Sequence, residues 1–204
     1  MVTLSKSTSI LYFNGMNSVV LAGDEQVAIK ELQQKGYIIR HIPIDWQSND
    51  SFETLMEQGL AAIRAERTKH TDILLVGVSA GGTLVVNLMA QLQDTNVAAL
   101  SICGRHIDRH TAKWDPRTLK RMAFINERRG SQSFYNAVIN CQNVAIPSLT
   151  AETKKRLLCI RPLLDEVVPQ RTMSVEGITT YTIPTIGHHR AIVSSLRKLP
   201  DILS

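Results

Sequence analysis

Short apolar segments rich in β-branched residues alternate along this chain of 204 residues with longer segments of helical period. Such alternation is typical of a parallel sheet, because each connection between parallel strands needs a crossover that is usually a helix. Helices cover both faces of such a sheet, so its strands are apolar throughout. The pattern therefore predicts an α/β fold with a doubly wound, mainly parallel six-stranded sheet, whose strands are 9–13, 37–44, 73–78, 97–102, 156–160 and 178–183.

The length of the chain is that of a single domain. A chain of this size, with 44% hydrophobic residues, can bury roughly 70% of its unfolded surface in one core. Residues 105–155, between the fourth and fifth predicted strands, have the pattern of several short helices instead of a single crossover helix. We therefore expect one domain over residues 1–204, with a small helical cap insert at 105–155.

Composition argues against several classes of function. A net charge of +5 is modest, and 5% aromatic residues are few for a nucleic-acid surface. The three cysteines lie in or beside apolar segments, as reduced thiols of cytoplasmic proteins do. The first residues, MVTLSKSTSILYFNG, have the pattern of neither a signal peptide nor a membrane anchor. We expect a cytoplasmic protein that binds no nucleic acid and does not insert into a membrane.

The third predicted strand runs directly into the segment Gly77-Val78-Ser79-Ala80-Gly81. At a sharp turn between strand and helix the central residue is strained, and the residues two positions away must be small, as Gly77 and Gly81 are. Such a turn lifts the hydroxyl of Ser79 above the carboxyl edge of the sheet, where open α/β folds bind ligands. Ser79 is therefore the candidate nucleophile, and Ala80 N–H can donate to an oxyanion beside it.

A serine becomes a good nucleophile only with a base and an orienting carboxylate. Asp165 follows the fifth predicted strand, and His188 and His189 follow the sixth. Because the strands are parallel, these side chains are expected at the edge of the sheet that carries Ser79. The order along the chain is serine, aspartate, histidine.

In these segments the chain resembles the α/β-hydrolase superfamily, which has that order. The elbow GVSAGG, the loop LLDEVVP and the GHH after the last strand are similar to landmarks of the family, and the resemblance spans nearly the whole chain. It implies a small serine hydrolase, most simply a carboxylesterase that takes a small-molecule acyl substrate through an acyl-enzyme. No cofactor and no metal are implied. A thioesterase or amidase with the same residues remains an alternative.

The resemblance assigns the general base to His188 and the orienting carboxylate to Asp165. Asp165 is favoured over Glu166 because the family places its acid three residues before the second valine of LLDEVVP. His188 is favoured over His189 because it directly follows the glycine. Asp45, at the end of the second strand, is a further carboxylate, for which a structural role in capping is the simpler interpretation.

The segment FNGM, after the first strand, stands where the family often has a His-Gly pair. The resemblance then implies that Met16 N–H is the second oxyanion donor and that Gly15 lets the backbone approach. Asn14 occupies the place of the usual histidine.

Two alternatives belong to other classes. Cys103, His106 and His110 have a spacing that could ligate a metal ion, but Arg105 and Arg109 lie among them and oppose a divalent cation. The glycine-rich segments lack the spacing of a dinucleotide site and the lysine of a phosphate loop. A non-catalytic binding or receptor module would have the same fold. The presence of all three residues of the triad favours the enzyme.

The first half of the insert is basic. It either presents a solvated helix face or attracts an anionic substrate towards the pocket, an effect that salt would screen. This half contains three acidic residues, and its basic residues are Arg105, Arg109, Lys113, Arg117, Lys120, Arg121, Arg128 and Arg129.

Overall fold

The computed structural model describes residues 4–16, 19–21, 23–92, 95–108 and 131–203. Within these ranges the strands are β1 Ser9–Phe13, β2 Ile38–Ile42, β3 Ile73–Val78, β4 Val97–Ile102, β5 Leu157–Leu164 and β6 Thr179–Ile186. They form one sheet in the order β2-β1-β3-β4-β5-β6, and every neighbouring pair is parallel. The predicted six-stranded parallel sheet is confirmed.

The helices of the same ranges lie between and after the strands. None of them has both the length and the apolar character needed to cross a bilayer. A π-helical segment, Cys141–Ala145, joins the fourth helix to the fifth, and a 3-10 turn, Gln170–Thr172, follows β5. In chain order the helices are α1 Gly23–Gln34, α2 Phe52–Arg67, α3 Ala80–Gln91, α4 Gln132–Asn140, α5 Ile146–Ser148, α6 Ala151–Lys155, α7 His188–Arg197 and α8 Leu199–Ile202.

The core lies on both faces of the sheet. In β1, Leu11 and Phe13 pack with residues of α2 and α3, whereas Ile10 and Tyr12 pack on the opposite face with residues of α1 and α7. The inner strands β1, β3 and β4 are buried along their whole length, as expected of strands covered on both sides. The prediction of a doubly wound sheet is confirmed.

The ends of three strands differ from the prediction. β2 stops at Ile42 because Pro43 has no N–H to donate, and the N–H of Ile44 donates to the Asn14 side chain instead. β5 and β6 run further than predicted. β6 tolerates Pro184 because it is an edge strand, where one side needs no hydrogen bonds. The longer strands end directly before the loops that carry the candidate acid and base.

The insert at 105–155 is described in part. Residues 109–130, which include most of its basic residues and the candidate ligand His110, lie outside the described residues. From residue 131 onwards the chain packs against α2 and α3. The Phe134 ring lies edge-on to Trp46 at 5.7 Å between ring centroids, and Asn140 Nδ2 donates to Asn87 Oδ1 at 2.8 Å. This part of the insert adds to one face of the sheet.

Candidate active site

The backbone of Ser79 is strained where β3 turns into α3. Its dihedral angles are φ 52° and ψ −116°, a conformation that residues other than glycine rarely adopt. The turn is held by the N–H of Ser79, which donates to the Ile102 carbonyl of β4 at 2.8 Å. Ser79 is partly exposed, and Ala80 is the first residue of the following helix. The serine thus stands at the carboxyl edge of the sheet.

Close backbone contacts around this turn leave no room for larger residues. A Cβ atom at Gly77 would overlap the carbonyl oxygen of Gly81, and one at Gly81 would overlap the carbonyl oxygen of Phe13. A Cβ atom at Gly15 would lie 3.1 Å from the Cβ of Ser79, so the loop after β1 runs directly beside the serine. The three glycines are therefore needed for the tight turn and for the approach of the neighbouring loop.

Asp165 and His188 form a buried hydrogen-bonded pair at the ends of β5 and β6. Asp165 Oδ2 lies 2.8 Å from His188 Nδ1, and Oδ1 accepts the N–H groups of Val167 at 2.8 Å and Val168 at 2.7 Å. The Asp165 side chain is 0% exposed and that of His188 is 11% exposed. Because the carboxylate accepts at Nδ1, it fixes the ring and leaves Nε2 as the nitrogen able to accept a proton.

The alternative residues have other partners. Glu166 Oε2 accepts the backbone N–H of His188 at 3.0 Å, at the start of α7. The ring of His189 is half exposed, with Nδ1 3.7 Å from Glu25 Oε1 and Nε2 3.6 Å from Asp24 Oδ2. His188, and not His189, is therefore the histidine that contacts the Asp165 carboxylate.

Ser79 and the His188 ring come from the same edge of the sheet. The strand order places β4 between β3, which ends at the serine, and β5, which ends at the acid. Among the described residues, no hydrogen bond joins Ser79 Oγ to the ring. Such contacts are often long without substrate and tighten when it binds. The transfer of a proton between these two groups stays a prediction.

The loop after β1 is held by the side chain of Asn14, which is buried. Its Oδ1 accepts the N–H of Ile44 at 2.7 Å, and its Nδ2 donates to the carbonyls of Ile44 and Gly15, both at 2.9 Å. These bonds tie the loop to the segment after β2. Met16, the predicted second oxyanion donor, follows directly and packs partly against the core. Sequence reasoning noted Asn14 only as a departure from the family pattern.

One group of possible metal ligands occurs among the described residues: Cys103, Asp165 and His188, whose ligand atoms lie within 4.8 Å of one another. A hydrogen bond already joins Asp165 Oδ2 to His188 Nδ1, so these two atoms already have a partner without a metal ion. The predicted alternative used His106, whose Nε2 instead lies 3.1 Å from Ser101 Oγ. These contacts favour a structural role for His106.

His106 is fully buried, and its Nδ1 has no hydrogen-bond partner in the described part of the chain. Burial lowers the pKa of His106 to about 4 from 6.5. The ring is therefore neutral in the folded protein, whereas the unfolded chain takes up a proton below pH 6.5. Stability that is present above pH 6.5 should be lost as the pH falls towards 4, up to about 3 kcal/mol from this residue.

We expect His106→Gln to flatten this dependence, because the variant has no imidazole to protonate on unfolding. Urea unfolding at pH 7.0, 5.5 and 4.5 measures the free energy at each pH. His189→Gln is the matched control, since that ring is half exposed. An equal loss of stability in acid for wild type and His106→Gln would contradict the assignment.

No protein-family model matches the sequence, and no curated protein is significantly similar to it. Solved structures are similar over almost the whole chain. The esterase Est1E from Butyrivibrio proteoclasticus has a TM-score of 0.60 and 16% identity, covering 96% of this chain and 88% of its own. An extracellular α/β-hydrolase from a Paenibacillus species has a TM-score of 0.62 and 13% identity, covering 96% and 97%.

A further match belongs to the metagenome-derived lipolytic enzymes LipS and LipT, with a TM-score of 0.64 and 14% identity over 100% of this chain and 93% of that one. At such identities the likeness concerns the fold. The six-stranded parallel sheet with helices on both faces agrees with it. The chain therefore has the α/β-hydrolase fold.

Proposed function

We propose that the protein is a serine hydrolase that cleaves small carboxylic esters through an acyl-enzyme. One observation carries the proposal. A buried aspartate–histidine pair, Asp165 with His188 at 2.8 Å, stands at the same edge of the sheet as the strained and partly exposed Ser79. A nucleophile, a base and an orienting carboxylate are the groups that acyl transfer requires.

In the first step Ser79 Oγ attacks the carbonyl carbon of the ester, and His188 Nε2 takes the hydroxyl proton. Asp165 holds the ring through Nδ1 and stabilises the imidazolium. The backbone N–H groups of Ala80 and Met16 donate to the oxyanion of the tetrahedral intermediate. The intermediate then collapses, and the alcohol leaves with the proton from His188.

Water completes the reaction. It attacks the acyl-enzyme while His188 Nε2 takes one of its protons, and the proton returns to Ser79 Oγ as the acid is released. Every proton that moves is carried by the same ring nitrogen. The cycle therefore needs no cofactor.

The enzyme is favoured over a non-catalytic module by the strain at the serine. A residue other than glycine in such a conformation costs of order 1–3 kcal/mol and persists mainly at functional sites. A module that only binds would gain nothing from this strain or from a buried carboxylate paired with a histidine. Esters are favoured over amides and thioesters because similar structures include enzymes named as an esterase and as lipolytic enzymes.

Labelling with a fluorophosphonate probe and a substrate panel test the proposal together. The panel contains p-nitrophenyl esters of graded acyl length, with one thioester and one anilide of the same acyl group. We expect covalent labelling of one serine, identified by peptide mass spectrometry as Ser79, and the fastest turnover with a short-chain ester. Absence of both labelling and turnover would favour the binding module. Faster cleavage of the thioester or the anilide than of the ester would show that the protein is a thioesterase or an amidase instead of an esterase.

A further inference from the structure

Cys103 lies between the serine turn and the acid loop. It directly follows β4, the strand between β3 and β5, and its side chain is fully buried. Its N–H donates to the Ile160 carbonyl of β5 at 2.8 Å. The preceding carbonyl, that of Ile102, accepts the N–H of Ser79. The backbone at Cys103 therefore connects the strands that carry the nucleophile and the acid.

The backbone of Cys103 is strained, with φ 55°. Among the described residues, Ser79 and Cys103 are the two residues other than glycine with positive φ. Glycine adopts this conformation freely, whereas another residue keeps it only when its surroundings impose it. Strain thus occurs at the ends of two adjacent strands, β3 and β4. At the end of β4 the chain has a cysteine, although glycine would adopt the same conformation without strain.

The thiol faces the aspartate–histidine pair. The Sγ of Cys103, a carboxylate oxygen of Asp165 and a ring nitrogen of His188 all lie within 4.8 Å of one another. Burial and the charge of Asp165 raise the pKa of Cys103 well above its usual value, and the charge of Glu166 adds to this. The thiol therefore remains protonated and can only act as a donor towards the carboxylate.

We propose that Cys103 is a positioning residue, whose thiol donates a hydrogen bond to the Asp165 carboxylate and so tunes and fixes its pairing with His188. The inference rests on the proposed function, because the pair it acts on is the candidate base and acid. Asp165 Oδ1 already accepts two backbone N–H groups, so Oδ2, shared with the ring, is the oxygen left for the thiol.

Removal of the thiol should change the proton affinity of the ring. A donor to the carboxylate draws negative charge away from the oxygen that faces the ring, so its loss strengthens the attraction between Asp165 and a protonated His188. Among the described residues, the charged groups Glu166, which accepts the His188 N–H, and Arg190 of α7 also lie near the loop. Neither is changed by substitution at Cys103. The His188 ring should therefore hold its proton to higher pH.

The experiment follows the titration of the His188 ring by NMR in the full chain, with its signal assigned by its absence in His188→Gln. We expect Cys103→Ala to move the midpoint up by about half a pH unit, and to lower kcat about 3- to 10-fold with KM unchanged. Cys103→Ser retains a donor and should titrate close to wild type. Cys141→Ala, which removes another buried thiol, is the control and should titrate as wild type.

A second variant separates the thiol from the strain. Cys103→Gly removes the thiol and relaxes the backbone, so it should fold at least as well as Cys103→Ala and show the same upward shift. The proposal is overturned if the ring titrates alike in wild type, Cys103→Ala and Cys103→Gly. It is equally overturned if Cys103→Ser shifts as far as Cys103→Ala.

The two proposals fail in distinguishable ways, because the ring titration requires no substrate. If wild type cleaves no ester but the midpoint moves as expected, the proposed function is wrong and the positioning by Cys103 stands. If wild type cleaves esters and the midpoint does not move, the hydrolase stands and the role of Cys103 is wrong.

Discussion

Ser79→Ala should abolish turnover of any ester that the wild-type protein cleaves, with a loss of up to about 10⁶-fold in kcat. The variant removes the oxygen that forms the acyl-enzyme and leaves the rest of the site in place. It should also fold, because alanine and serine bear a similar penalty at φ 52° and the side chain makes no hydrogen bond on which α3 depends.

Hydrolysis of the best ester and labelling by the fluorophosphonate probe measure this loss. Ser195→Ala is a suitable control, because it removes a buried hydroxyl that has no hydrogen-bond partner in the described part of the chain. We expect that control to keep both labelling and turnover. Labelling that persists in Ser79→Ala would show that the nucleophile is another residue.

The sheet could be predicted from the sequence because its strands are locally distinct. Runs such as that of β3 are apolar, rich in β-branched residues and bounded by turns, so their positions follow from nearby residues alone. The order of the strands depends on contacts between distant segments, which local patterns do not encode. The end of β6 also escaped prediction, because an edge position makes Pro184 tolerable within a strand.

The same distinction applies to the site. The strained turn at Ser79 follows from a local requirement for small residues, and the pairing of Asp165 with His188 agrees with the two loops that the sequence singled out. The role of Asn14 depends on the backbone of Ile44, thirty residues away, and that of Cys103 on the acid loop beyond β5. Both contacts can be predicted only once the strand order is known.

His188→Ala should lose nearly as much activity as Ser79→Ala, because the nucleophile then has no base to take its proton. His189→Ala should keep most of its activity. The His189 ring is half exposed and lies 3.6 Å from a carboxylate oxygen of the exposed Asp24, and exposed pairs of this kind contribute little to stability. The neighbouring histidines thus provide a matched pair of variants on one helix.

The comparison uses kcat/KM for both variants, measured after circular dichroism has shown that each is folded. Wild-type kcat/KM should also decline as the pH is lowered, because a protonated His188 ring cannot accept the serine proton. His189→Ala should retain that decline, whereas the residual activity of His188→Ala should lack it. Equal losses in the two variants, or a larger loss at His189, would reverse the assignment. If the residual kcat/KM of His188→Ala still declines as the pH is lowered, another group is the base.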